Sequence, residues 1–181
     1  MNTIEALQRF EEIANHYLHE LENLSMEQLK RQPSEDEWSL GQMYQHLINS
    51  ALYMQLRNIN NCMTQSEDSI APPVEKTREG VAIFDQGSFP PIRIQVPASP
   101  QYTPEQPDSK EQLIQGLNTV INRMKEIEPM LEKAPMQNTV SHPRFGALHA
   151  KEWFLFIEMH YRHHLLQMER LKKVLENNVK I

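Results

Sequence analysis

The chain has 181 residues, 39% of them hydrophobic, a net charge of −6 and a single cysteine. Its length and helical periodicity suit one folded domain over 1–181, and its scattered basic residues argue against a nucleic-acid or anionic-membrane partner. Cys62 alone allows neither a disulfide framework nor a cysteine-based zinc site, and with no signal-peptide pattern and no apolar run of membrane length the expectation is a soluble cytoplasmic protein.

A first helix is expected over 3–24, where Ile4, Leu7, Phe10, Ala14, Tyr17, Leu21 and Leu24 recur in steps of three and four. His16 and His19 fall beside that stripe and read as solvated. A short helical turn at 25–31 is opened by Ser25 with Gln28 three residues on, a capping-box pattern that recurs at Ser39 and Gln42. The second helix, over about 39–62, has Leu40, Met43, Leu47, Ala51 and Met54 on its apolar face. His46 lies close enough to that face to turn inward, and taken alone it reads as a hydrogen-bonded core histidine. Cys62, near the helix end, reads as a small buried thiol with no nearby group to lower its pKa.

Residues 66–108 change character: eight of the twelve prolines fall here, which forbids a long helix and disfavours a central strand. The segment also carries Ile70, Val81, Ile83, Phe84, Phe89, Ile92, Ile94, Val96 and Tyr102, so it is expected to pack over one end of the helices. Two readings stand for it, a plain crossover and the wall or lid of a pocket. A third helix opens at Ser109 and runs over about 109–131 on Leu113, Leu117, Val120, Met124, Ile127 and Leu131, with Pro129 ending or kinking it. A loop with His142-Pro143-Arg144-Phe145-Gly146 comes next, and a fourth helix is expected over about 148–177. The architecture this predicts is all-α, a four-helix bundle with one long crossover.

The fourth helix holds His160 and His164, four residues apart and therefore on one face. Trp153, Ile157, Met168, Leu171 and Leu175 continue that face, so the imidazoles lie on a stripe that points inward. Two readings remain open from the residues alone: a chance pair satisfied in the core or at the surface, and a grip on a divalent metal. Gln167, one turn on, is either a second-layer partner of such a site or a buried amide meeting a neighbouring backbone. Glu158 reads as solvated on the opposite side, Trp153 as core, and His142 and His149 as loop and cap residues.

Trp38-Ser39-x-x-Gln42-x-x-x-His46-Leu47, then His142-Pro143-x-Phe145-Gly146, then Trp153 and His160-x-x-His163-His164-x-x-Gln167 together resemble the DinB/YfiT-like family. The resemblance spans about 5–175 and includes the proline-rich crossover after the second helix. It implies a four-helix bundle that holds a divalent metal, often nickel or zinc, on three histidines. The matching positions are His46, His160 and His164, with His163 turned away. Three imidazoles leave coordination positions open, as catalytic rather than closed sites do.

The resemblance also implies an activity. Members of the family are described as transferases that add a low-molecular-weight thiol to an electrophile, bacillithiol-type S-transferases among them, or as metal-dependent hydrolases. With no cysteine nucleophile of its own, the chain would take its thiol from solution, and the absence of a further general base in the sequence fits thiolate activation better than hydrolysis. The alternatives are a non-catalytic, stress-related bundle that binds a metal or small molecule, and a structural bundle without metal. A small-molecule thiol and an electrophile are the expected partners, and a homodimer through bundle faces is a further reading.

Overall fold

The computed structural model describes residues 1–65, 74–93 and 102–177. Ile70, Ile94 and Val96, with the prolines at 72, 73, 97 and 100, lie outside the described residues.

Side-chain caps start the helices. Asn2 and Glu5 exchange bonds at the head of α1 (Thr3–Glu22), Ser25 and Gln28 at α2 (Met26–Lys30), and Ser39 and Gln42 at α3 (Leu40–Ser50). A π-helical turn over Ala51–Gln55 joins α3 to α4 (Leu56–Thr64). The expected second helix is therefore one rod with an altered middle. The extra residue in that turn shifts the helical phase, so Gln55 is fully buried where Met54 was expected and Met54 is only half-buried. Ile4 also leaves its expected stripe and is 59% exposed, because the buried seam of α1 runs through Ala6, Phe10, Ala14, Tyr17 and Leu21.

The crossover contains a helix that its proline density did not announce. Thr77 caps α5 (Arg78–Gln86), which ends at Gly87 in the left-handed region. Ile83 is buried and Phe84 and Phe89 pack on the core, whereas Val81, Ile92 and Tyr102 are exposed. Ser109 caps α6 (Lys110–Ile127), and a 3₁₀ segment over Glu128–Lys133 with Pro129 in its first turn takes over at the end. The expected loop between the third and fourth helices is in fact a hairpin, β1 (Thr139–His142) antiparallel to β2 (Gly146–His149). Four-residue strands without apolar alternation leave little trace in a sequence. Gly146, at φ 76°, faces the backbone of Glu75 and Thr77, and Lys76 bridges it from the crossover.

α7 (Ala150–Asn177) runs between α1 and the α3–α4 rod, and α6 closes the ring from the other side. Phe10, Tyr17, Tyr44, Trp153, Phe154, Ile157 and Tyr161 fill the interior with no measurable exposure. Each such side chain contributes about 1.5–3 kcal/mol by leaving water. Hydroxyls stitch three helices together: Tyr44 donates to the Tyr17 carbonyl, and Tyr17 donates to the Tyr161 carbonyl, both at 2.8 Å. Among the described residues, no helix is long and apolar enough to cross a membrane.

Candidate metal centre

α3 presents His46 from one side of the bundle, and α7 presents His160 and His164 from the other. The start of α3 is held by the far end of the crossover. Ser39 donates to Gln106, Gln42 donates to the Pro104 carbonyl, and Gln106 donates to the Lys30 carbonyl. Glu37 binds Arg93 of the crossover and Arg170 of α7, which hold its carboxyl below the usual range. Trp38 then lies with its ring 5.0 Å from that of His46.

The three histidines converge through their Nε2 atoms. His160 Nε2 is 3.0 Å from His46 Nε2 and 3.1 Å from His164 Nε2, and ligand atoms of all three lie within 4.8 Å of one another. Two nitrogens bound to one ion at 2.0–2.1 Å stand about 2.8–3.4 Å apart at right-angle or tetrahedral geometry, so both separations suit a shared cation. Burial, reinforced by the neighbouring imidazoles, depresses all three basicities, to about 3 for His46, to about 4 for His164 and well below the ordinary value for His160. They are neutral at pH 7, the form that binds metals.

Gln167 lies one turn beyond His164, with its Oε1 2.7 Å from His164 Nδ1. A carbonyl oxygen only accepts, so His164 carries its proton on Nδ1 and turns a bare Nε2 toward the cluster. Gln55, which the sequence did not single out, lies with its amide nitrogen 3.3 Å from His160 Nδ1. Its Oε1 is buried without a hydrogen-bond partner. Nothing in the residue string marks it, because an unbroken helix would carry position 55 to the side of the rod opposite His46.

The remaining candidates fall elsewhere. His163 turns away from the cluster toward Phe89, 5.6 Å between rings, and lines a hollow of about 210 Å³ with Ser88, Phe89, Pro91, Met159, Arg162 and Leu166. Ser88, Phe89 and Pro91 of the crossover thus border a hollow whose lining includes none of the three clustered histidines. His142 accepts from the amides of Arg144 and Phe145 in the hairpin turn, and His149 exchanges bonds with Glu152 at the head of α7. His16 and His19 are exposed, and Trp153 is core. Cys62 is buried, with its thiol pushed up to about 11 by that burial.

Glu158 overturns its solvated reading, since it has no exposed surface. Arg162, one turn on, grips its carboxylate with two nitrogens at 2.8 and 3.0 Å, and the same guanidinium donates to the Gly87 carbonyl. The crossover thus meets the guanidinium that neutralises this buried carboxylate.

Residues 9–168 match the family model described as DinB superfamily. The chain is also similar to a protein of Bacillus subtilis (strain 168) described as uncharacterized protein YuaE. The two are 25% identical over 159 residues, covering 87% of this chain and 91% of that protein.

Proposed function

The chain belongs to the DinB superfamily, and from that premise we propose that it is a metal-dependent enzyme which transfers a low-molecular-weight thiol to an electrophilic small molecule. One observation carries the reading: three neutral imidazoles aim Nε2 atoms at one point, with separations that a zinc or nickel ion would accommodate. His46, His160 and His164 would hold the ion and leave positions open, and Gln167 would fix the tautomer and orientation of His164. A divalent ion held there supplies the positive charge that keeps a small thiol ionised at neutral pH.

The rest of the chemistry falls to the chain's own residues. Cys62 is buried and poorly acidic, so the nucleophilic sulfur comes from solution. Phe89, Met159 and Leu166 offer an apolar surface for the carbon body of an electrophile. The charge of Arg162 is met by Glu158, which suits an uncharged guest.

Metal content of protein purified without an affinity tag tests the site. About one ion per chain is expected, lost in both His46→Ala and His160→Ala. Full loading of the His46→Ala variant overturns the ligand set. Conjugation of a model electrophile to a small thiol by loaded but not stripped protein is the activity expected, and ester or amide hydrolysis without thiol transfer would move the reading to a hydrolase. Metal binding with neither activity leaves a binding module.

A further inference from the structure

A histidine that binds a metal through Nε2 must carry its proton on Nδ1, and that N–H needs an acceptor when buried. His164 has one in Gln167. Among the described residues, the side-chain amide that meets His160 Nδ1 is that of Gln55, fully buried, with its nitrogen toward the ring and its oxygen orphaned. This arrangement suits a metal-free cluster. There Nδ1 accepts from the Gln55 amide, and Nε2–H donates to one of the neighbouring imidazole nitrogens at 3.0 and 3.1 Å. Turning the amide by half a revolution puts Oε1 where Nε2 stands and gives a protonated Nδ1 its acceptor. Oxygen and nitrogen are interchangeable in shape, so the turn needs no other movement.

The backbone supports a directed role. Gln55 is nine residues after His46, and in an unbroken α-helix that places it about 180° away, on the far side of the rod. The extra residue of the π turn over Ala51–Gln55 takes about 100° off that angle and brings the amide round toward α7. A π turn costs hydrogen-bond geometry, and here it delivers one polar side chain to one ring nitrogen.

We propose that Gln55 is the positioning residue of His160, an amide that rotates with occupancy to hold the ring as an Nε2–H tautomer without metal and as an Nδ1–H tautomer with it. The inference rests on the metal reading given above. Glutamine serves both states, whereas glutamate, an acceptor only, serves the loaded state, and leucine serves neither.

The test is zinc affinity by chelator competition for wild type, Gln55→Leu and Gln55→Glu, with nitrogen-resolved NMR of the zinc-loaded imidazoles. Affinity is expected to fall about 10–100-fold in Gln55→Leu and to recover in Gln55→Glu. In loaded wild type the His160 Nδ1–H is expected to be shifted downfield and slow to exchange. That signal should be lost in Gln55→Leu while the His164 signal, held by Gln167, stays in place. Equal zinc affinity in all three proteins overturns the inference and leaves the metal reading standing, whereas wild type that takes up no zinc overturns both. Should Gln55→Leu fail to fold, the wild-type spectrum decides: a rapidly exchanging His160 Nδ1–H overturns the assignment.

Discussion

A carboxylate without solvent exposure needs a cation, and at the residue scale the Glu158–Arg162 pair is where the fold has most at stake. Arg162 satisfies the carboxylate and the Gly87 carbonyl together, so one guanidinium ties α7 to the end of α5. Arg162→Ala strands a buried charge, and the expected cost is about 3–5 kcal/mol. This shows as a lower urea midpoint at unchanged slope, and Glu158→Gln, which keeps an acceptor for Arg162, costs less. An unchanged midpoint in Arg162→Ala would show that the pair is solvated in solution. The burial of Glu158 was hidden in the sequence because it depends on tertiary packing, to which the bond of Arg162 with Gly87, 75 positions away in the chain, belongs. The pairing of His160 and His164 was easier to anticipate, since four-residue spacing on a helix is a local property, whereas His46 joined them only through the family motif.

At the element scale, backbone joins side chains in holding the crossover. Thr77 donates its amide to the Phe145 carbonyl and Ala147 donates to the Glu75 carbonyl, which docks the crossover against the hairpin. Gly146 makes this approach possible, because a Cβ there would stand 2.5 Å from the Glu75 carbonyl oxygen at a φ of 76°. Gly146→Ala is expected to cost at least about 1–3 kcal/mol from backbone strain alone. Hydrogen exchange should localise the damage, with the Thr77 and Ala147 amides losing protection while the centre of α6 keeps it. Caps and seams of the helices were legible in advance: Ser25–Gln28, Ser39–Gln42 and Ser109 mark starts that the structure keeps, and the apolar seam of α6 is buried throughout. The π turn, α5 and the hairpin were not. Each depends on contacts between distant segments, and a nine-residue helix flanked by prolines gives periodicity too little length to register.

For the whole molecule, acid is the expected weakness. His142 is pressed against Phe145, Trp153 and Phe156 beside Arg144, and burial first, then that cation, lowers it from 6.5 to about 4. Below pH 6.5 the unfolded chain takes up a proton that the folded chain refuses, so stability is full above 6.5 and declines as pH falls toward 4. Glu37, held below the usual carboxylate range by Arg93 and Arg170, acts with the same sign at lower pH. Its contribution is present above about 4.5 and is lost as its carboxyl protonates. The urea midpoint of metal-free protein should therefore be level from pH 8 to 7 and fall steadily from 6.5 to 4. His46, His160 and His164, depressed by burial in the same sense, add to that fall, so a flat profile would place the buried imidazoles together in water.

The tyrosine stitches bear on dimension. His46 is two residues past Tyr44, His160 is next to Tyr161, and both tyrosines are referenced to Tyr17 of α1 through hydroxyl–carbonyl bonds. A helix that carries none of the three histidines therefore acts as the gauge between the two that do. Sliding α3 along α7 by the width of a bond would break contacts on the far side of the core before the imidazoles parted. The spacing of the three imidazoles is inherited from the interior, so it is set by packing that the histidines themselves do not supply.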